Sequence, residues 1–254
     1  MIQLVINGIG GRMGQEVVRL VRESSQYTVV GGVDPLAGES LPDLIVTTNP
    51  GDIVPRADVV IDFSTPEGAL TILDFCTQFK KPLVTGTTGF ETNELDRFHQ
   101  AAQTIPIVQA FNFSIGINLM LELVAKAARI IGKRADVEIV EMHHRNKKDA
   151  PSGTALLLAR AMVEALENQS EPILRFGRQG RALERENEIG IHSLRGGSVI
   201  GEHQVHFLGT NENIVLTHQA LNRRLFVEGA LLAAEWVVKK NSGYFGMKDV
   251  LGFN

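Results

Sequence analysis

Cysteine is nearly absent from this chain. Cys76 is the single one in 254 residues, which excludes an internal disulfide and fits a reducing compartment. It lies in an apolar helical pattern with Leu73, Phe75 and Phe79, so core packing accounts for it. Also missing is any apolar run near the ~20 residues that a bilayer span requires. The opening Met1-Ile2-Gln3-Leu4-Val5-Ile6 enters a strand pattern at once, without the basic region or cleavage site of an export signal. A cytoplasmic protein with no membrane partner is expected. Strong charge is lacking too. The sum of 25 Lys+Arg against 29 Asp+Glu is −4, which argues against a general nucleic-acid or anionic-membrane binder. No internal repeat or low-complexity segment is visible. What is present is a globular composition, 44% hydrophobic and 21% charged, at a length that allows one large domain or two small ones.

Short apolar strands are predicted at 2–7, 28–33, 58–63, 82–85 and 106–109. Helical patterns fall between them, one with Val17, Val18, Leu20 and Val21 on a stripe, another opened by Ser64-Thr65-Pro66-Glu67. This alternation implies a parallel sheet covered on both faces. The pattern changes near residue 114. A helix is predicted over 115–133, a strand over 137–142, a helix over 155–166, and strands at 189–195, 199–208 and 213–219. Those last strands are close in sequence and imply antiparallel or mixed pairing. An apolar-periodic helix over 225–239 is expected to pack back on the first domain. The charged run 175–188 has no strong periodicity and reads as a solvated loop or an oligomer-surface segment. The expected fold is α/β: a Rossmann-type dinucleotide-binding domain (1–114 with 223–254) and an α+β substrate and oligomerisation domain (115–222) with a mixed sheet.

The first strand runs into Gly8-Ile9-Gly10-Gly11-Arg12-Met13-Gly14. Glycines between a strand and a helix let backbone approach a pyrophosphate, and the helix start offers N–H groups and a positive dipole end. Met at position 13 departs from the strict G-x-G-x-x-G, and a tight structural turn would also explain the cluster. Asp34, at the end of the second strand, strengthens the nucleotide reading. Its carboxylate suits the ribose hydroxyls of NAD and repels a 2′-phosphate. Pro35 follows where NADP-preferring sites often carry Arg, so NADH is favoured. Arg12 leaves dual use with NADPH open. Gly86-Thr87-Thr88-Gly89 and Ala110-Phe111-Asn112-Phe113-Ser114 follow two further strands and should share the same rim.

The densest chemistry lies at residues 141–155, Glu-Met-His-His-Arg-Asn-Lys-Lys-Asp-Ala-Pro-Ser-Gly-Thr-Ala. Adjacent strand residues point to opposite faces, so His143 and His144 make a poor ligand pair for one metal, and no metal site is expected. A histidine titrates near neutral pH and can move a proton. Lys147 adds a point charge and a donor proton. Ser152-Gly153-Thr154 opens a helix whose N–H groups and hydroxyls suit a carboxylate. A solvated basic loop before a capped helix is the plainer alternative. His203, His206 and His218 read as structural histidines first. Arg195-Gly196-Gly197 reads equally as an anion contact or a hairpin turn.

At these residues the chain resembles the 4-hydroxy-tetrahydrodipicolinate reductase family, also called dihydrodipicolinate reductase. The resemblance spans nearly the whole chain. It includes the Gly8–Gly14 loop, Gly86-Thr87-Thr88-Gly89-Phe90, Asn112-Phe113-Ser114-Ile115-Gly116 and Gly201-Glu202-His203. Its most specific element is the His-His-x-x-Lys-x-Asp-x-Pro-Ser-Gly-Thr run. The resemblance implies NADH- or NADPH-dependent reduction of a small cyclic dicarboxylate in lysine and diaminopimelate synthesis. It implies nucleotide contacts at Gly8 to Met13, Asp34, Gly86 to Thr88 and Ala110 to Phe113. His143 would be the proton donor or acceptor and Lys147 a proton donor. His144, Gly153 and Thr154 would bind substrate, with Lys147 and Ser152 beside them. A homotetramer associating through the C-terminal sheets is implied as well. Two rival readings are another two-domain dehydrogenase of amino-acid metabolism and a non-enzymatic dinucleotide sensor. Neither gives a reason for the His-His-x-x-Lys loop.

Overall fold

The computed structural model describes residues 1–35, 43–166, 172–181 and 184–253, apart from the Lys133 side chain. The chain divides into two compact units, Met1–Ile115 with Arg224–Asn254, and Gly116–Arg223. In chain order the elements begin with β1 (Ile2–Asn7), α1 (Arg12–Arg22), β2 (Tyr27–Val33), β3 (Val46–Thr47) and β4 (Val59–Asp62). Next come α2 (Pro66–Phe79), β5 (Leu83–Thr85), α3 (Thr92–Ala101) and β6 (Pro106–Gln109). The second unit holds α4 (Ile115–Ile131, its first residue at the boundary), β7 (Ala135–His143), α5 (Gly153–Ala165), β8 (Ile173–Phe176), β9 (Glu188–Arg195), β10 (Gly201–Gly209) and β11 (Asn213–Ala220). The chain closes with α6 (Arg224–Val237), β12 (Gly243–Phe245) and α7 (Met247–Leu251).

The first unit is a Rossmann-type sheet of seven strands in the order β12-β6-β5-β4-β1-β2-β3. Every pairing in it is parallel. The strand sequences are almost wholly apolar because both faces are covered. On one face Leu4, Ile6, Ile61, Val84 and Val108 pack against Val17 and Val21 of α1 and Val227, Ala230 and Ala234 of α6. On the other, Val5, Val60, Leu83 and Ile107 meet Ile72, Leu73 and Cys76 of α2 and Phe98 of α3. Each such fully buried aliphatic side chain contributes roughly 1.5–3 kcal/mol relative to exposure. Small residues let α6 approach closely: a Cβ on Gly229 would fall 1.8 Å from the Phe113 carbonyl oxygen.

Strand order reverses between β1 and β4, and ligands of such sheets bind beyond the strand ends at that switch. Asn7 and Asp62 are register partners there, as are Asp62 and Thr85. Asp62 is fully buried. Its oxygens accept from Asn7 Nδ2 at 2.8 Å, Thr85 Oγ1 at 2.6 Å, Thr87 Oγ1 at 2.8 Å and the Ser64 N–H at 3.2 Å. The Ser64 hydroxyl donates to it as well. One carboxylate therefore ties together the ends of β1, β4 and β5.

The second unit is a mixed sheet in the order β11-β10-β7-β9-β8. β7 runs parallel to β9 and antiparallel to β10. Val137, Ile139, Ile189, Ile191, Val205 and Phe207 form its inner face, covered by Met120, Val124 and Ala128 of α4 and Leu158, Ala159 and Met162 of α5. One expectation needs correction. The long helix ends at Ile131 rather than 133, and a 3₁₀ turn follows. The charged run starts in the last two residues of β8, an edge strand parallel to β9, and among the described residues it is loop from there to β9, as expected. The parts of that run at 182–183 lie outside the described residues. Its arginines have partners that the sequence does not display locally. Arg178 and Arg185 reach Glu138 of β7, while Arg175 and Arg178 reach Glu188 of β9. His192 joins Glu138 at 2.7 Å. Gly190 makes room for this cluster, since a Cβ on it would fall 1.8 Å from a Glu138 oxygen.

Asp62→Ala leaves several buried donors without an acceptor, so equilibrium urea unfolding should show a loss of about 3 kcal/mol, with Asp62→Asn milder. A second expectation concerns acid. Burial raises the Glu138 carboxyl, but the bonds from Arg185, Arg178 and His192 outweigh it and hold the group at about 2. A depressed folded-state value means that this contribution is full above the ordinary carboxylate value of 4.5. It is lost as pH falls from there toward 2. The wild-type urea midpoint should fall across that window, and Glu138→Gln should fall less steeply from a lower starting point.

Candidate active site

The glycine loop of the first unit is shaped by close backbone approach. Gly8 has φ +77°, and a Cβ on it would lie 2.6 Å from the Phe63 carbonyl oxygen. A Cβ on Gly14 would lie 2.3 Å from the Gly8 oxygen. Gly11 caps α1 with no side-chain acceptor, and the first turn holds no acidic residue. The positive end of the helix is thus left for an external anion. The Gly10 N–H donates to Asp34 Oδ2 at 2.9 Å, which draws the end of β2 onto the loop. Arg12 is exposed at the first turn.

Not every residue of these loops presents its side chain. Ile9 is fully buried, and it fills the space over Gly32, where a Cβ would lie 2.5 Å from Ile9 Cδ1. Met13 packs against the core. Thr87 is buried with its hydroxyl on Asp62. Phe113 is buried edge-on to Phe63 at 6.0 Å between ring centroids. A Cβ on Gly86 would lie 2.4 Å from that same Phe63 ring. Asn112 Oδ1 accepts from the Ser114 N–H at 2.8 Å and so shapes its own loop. Ala110 is half-buried, whereas Thr88 and Phe111 are exposed. Backbone, Thr88 and Phe111 therefore form the accessible part of this rim. A loop that admits no Cβ at Gly8 or Gly14 and carries an uncapped helix start fits the phosphates of a dinucleotide.

The second unit builds a different centre. Strand alternation places Val137, Ile139, Glu141 and His143 of β7 on the inner face. His143 Nδ1 lies 2.6 Å from Glu141 Oε2. Arg195, paired in register with His143 from β9, grips the same carboxylate with Nη1 at 2.8 Å and Nη2 at 2.7 Å. The Ser152 N–H donates to Glu141 Oε1 at 3.1 Å. Burial raises the Glu141 carboxyl, but hydrogen bonds from His143, Arg195, Ser193 and Ser152 prevail and hold it well below the usual carboxylate range. Arg195 is thus an anion contact, though its anion is a side chain of this protein.

His203, in register with Glu141 from β10, is 4% exposed. Its ring stands edge-on to His143 at 5.2 Å, and burial, aided by the neighbouring His143, pushes its pKa down to about 3. The sequence weights it as a structural histidine. The structure keeps it neutral but seats it against His143. The clue available in the sequence was spacing: Glu141 and His143 are two apart on one strand and share a face. His206 lies on the opposite face, 3.1 Å from Gln204.

His144 follows the strand and is half-buried, and its Nδ1 is buried without a hydrogen-bond partner among the described residues. Its carbonyl accepts from the Lys147 N–H at 3.1 Å, and Lys147 Nζ lies 3.0 Å from Asp149 Oδ2. Ser152 caps α5, its hydroxyl accepting from the Ala155 N–H and lying 3.1 Å from His203 Nε2. Both its N–H and its hydroxyl are turned inward, so it shapes the helix start from within. Gly153 opens α5 with nothing within 4 Å of where a Cβ would stand. Thr154 follows in the first turn. Among the described residues no group of three or more His, Cys, Asp or Glu side chains is placed to hold a metal ion.

Comparison with known proteins places the chain in a family. Residues 2–113 match the family model for the N-terminus of dihydrodipicolinate reductase, and residues 116–251 match the model for its C-terminus. The 4-hydroxy-tetrahydrodipicolinate reductase of Myxococcus xanthus is 44% identical over 100% of this chain and 98% of its own length. That of Aquifex aeolicus is 40% identical over 99% of both chains. A dipicolinate-bound dihydrodipicolinate reductase from Paenisporosarcina sp. TG-14 superposes with a TM-score of 0.81 at 29% identity, covering 98% of this chain and 99% of that one. A myo-inositol dehydrogenase from Corynebacterium glutamicum, at 14% identity and TM-score 0.63, shares the fold alone. With both halves of the chain matched and full-length relatives at this identity, the chain belongs to the dihydrodipicolinate reductase family.

Proposed function

We propose that the protein catalyses the nicotinamide-dependent reduction of 4-hydroxy-tetrahydrodipicolinate to tetrahydrodipicolinate in lysine and diaminopimelate synthesis. The observation that carries the reading is the centre around His143. A buried, clamped carboxylate holds a histidine beside a lysine-bearing turn and an open helix start. Family membership supplies the reaction class, and the bound dipicolinate of the Paenisporosarcina enzyme supports a small dicarboxylate as substrate.

A nicotinamide dinucleotide held by the first unit would supply the hydride. In this reading Gly8, Ile9, Gly10, Gly11, Arg12 and Met13 offer backbone and charge to its phosphates, and Asp34 its ribose acceptor. Gly86, Thr87 and Thr88, with Ala110, Phe111, Asn112 and Phe113, form the remaining rim. Hydride addition to a conjugated cyclic imine builds negative charge that a nearby acid must quench. His143 and Lys147 are the proton-handling groups. His144, with an unsatisfied buried Nδ1, Lys147, and the helix start at Gly153 and Thr154 bind the carboxylates, while Ser152 holds that helix start in place. Among the described residues no helix is long and apolar enough to cross a membrane. We read the protein as cytoplasmic, and as a homotetramer assembled through the outer face of the mixed sheet. Leu194, Leu208 and Val215 are exposed on that face.

In a coupled assay, the preceding synthase condenses pyruvate with aspartate semialdehyde. Adding this protein with NADH or NADPH should then cause synthase-dependent loss of nicotinamide absorbance. Lys147→Ala should lower kcat by about 10²–10⁴. Dinucleotide binding with no oxidation of either cofactor would sink the assignment. The same assay ranks the cofactors. Asp34 followed by Pro35 points to NADH, and Asp34→Ser should raise the KM for NADH by about 10-fold, a loss of ~1.4 kcal/mol in binding, while sparing NADPH. Equal loss with both cofactors would show that Asp34 serves only the Gly10 turn.

A further inference from the structure

The proposed chemistry uses His143 but leaves open which ring nitrogen exchanges the proton. The geometry points to an answer. We infer that Glu141 is a positioning residue that fixes His143 with its proton on Nδ1, so that Nε2 is the proton-exchanging atom, and that Arg195 limits how strongly the carboxylate draws a second proton onto the ring. This rests on the reading in which His143 moves the proton.

Three observations support it. First, the other partners of the Glu141 carboxylate all donate to it: Arg195 through two nitrogens, the Ser152 N–H and the Ser193 hydroxyl. The carboxylate is therefore held ionised, and an ionised carboxylate only accepts. At 2.6 Å the His143 Nδ1 must be the donor. In a neutral imidazole only one nitrogen carries a proton, so Nε2 is then the acceptor. Second, Nε2 faces Gly201, where a Cβ would stand 3.1 Å away. The glycine keeps a side chain off that nitrogen. Third, the neighbouring ring of His203 is neutral and has its Nε2 on the Ser152 hydroxyl, so it does not compete for Glu141.

The carboxylate favours the imidazolium, and the guanidinium bonded to its other side opposes this. The ring packed edge-on to His143 is His203 on β10, which also feels His218 on β11 and Lys147 on the following turn, itself paired with Asp149. None of these touches the Glu141 carboxylate among the described contacts; the full positive charge on it is that of Arg195. Replacing Glu141 with Gln reverses the arrangement. The amide must place its NH₂ group where one oxygen stood. The Oε1 position faces both Ser152 N and Arg195 Nη2, whereas the Oε2 position faces Arg195 Nη1 and the histidine. The NH₂ group therefore settles at the Oε2 position and donates to Nδ1, which moves the ring proton to Nε2.

The test has a spectroscopic and a kinetic arm. Two-bond ¹H–¹⁵N spectra of the imidazoles, at a pH where His143 is neutral, should show its proton on Nδ1 in the wild type and on Nε2 in Glu141→Gln. Steady-state kinetics of Glu141→Gln should show kcat lowered by about 10²–10⁴, with the KM for the dinucleotide unchanged. The alkaline limb of its pH–kcat profile should move down by about one unit or more, because the imidazolium has lost its acceptor. Arg195→Met should move that limb the other way, because the unopposed carboxylate then draws the proton more strongly. A wild-type spectrum with the proton on Nε2 would overturn the inference. So would Glu141→Gln with the wild-type profile and a loss confined to dinucleotide affinity or thermal stability, the signature of a merely structural carboxylate. Should the wild type oxidise no nicotinamide at all, the reaction assignment falls, while the spectra still decide the tautomer.

Discussion

Taking a carboxylate out of water is expensive, by several kcal/mol in a real protein interior. Glu141 is nonetheless completely buried and ionised. That is possible only because donors surround it. Arg195 arrives from β9, the Ser152 N–H from the start of α5, and His143 from two residues along β7. Each donor belongs to a different piece of the unit, so satisfying this charge fixes a strand end, a neighbouring strand and a helix start relative to one another. Removing any one donor leaves a buried charge partly unpaired, and the cost of that exceeds the modest net value of an ordinary hydrogen bond. The rigidity of the His143 centre follows from electrostatics more than from apolar packing.

The first unit solves a similar problem with Asp62. It too is a buried carboxylate at a strand end, and it gathers Asn7, Ser64, Thr85 and Thr87 from three successive strand ends and the loops beyond them. Those loops border the glycine cradle, where Gly8 abuts the carbonyl of Phe63. In both units functional segments sit on loops, as expected where chemistry must be exposed. In both, a single internal anion keeps the loop from wandering. The apolar cores on either side of the parallel sheet hold the strands, and the buried carboxylates hold what leaves them.

Much of this was legible in the sequence, and the reasons for success and failure are physical. Apolar runs at 2–7, 58–63 and 82–85 announce strands covered on both faces, because such burial leaves no polar side to alternate with. Thr65 before Pro66 announces α2, and it does cap that helix. Edge elements were harder. β8 is exposed over much of its length, and its one charged residue, Arg175, pairs with Glu188 at the start of β9. No local pattern encodes such a partner. The site residues divide in the same way. Residue type marked Gly8, Gly14, Asp34, His143, His144 and Lys147. Type alone does not reveal that Ile9, Thr87, Phe113 and Ser152 turn inward, since direction is set by the sheet and helix packed behind them. Glu141 stood within the marked segment without a role of its own, and His203 and Arg195 stood far from it. Only strand register brings both to the end of β7.

Charge accounting then explains the substrate half of the site. Arg195 reads from sequence equally as an anion contact or a hairpin turn, and in the fold its guanidinium is closed on Glu141 by two hydrogen bonds and on the Asp149 and Leu194 carbonyls by two more. The pair is internally neutral and offers little field to a ligand. In the proposed reading, the two carboxylates of a substrate are then met by Lys147, the histidines and the start of α5. Lys147 is itself countered by Asp149 at 3.0 Å, a carboxylate that is more than half exposed. With one partner at the surface, this pair is weaker than a buried one, so in the proposed reading a dicarboxylate can displace Asp149 from Lys147. The buried pair resists such exchange, which suits a group that sets a proton's position. The exposed pair permits it, which suits a group that must release one anion to take another.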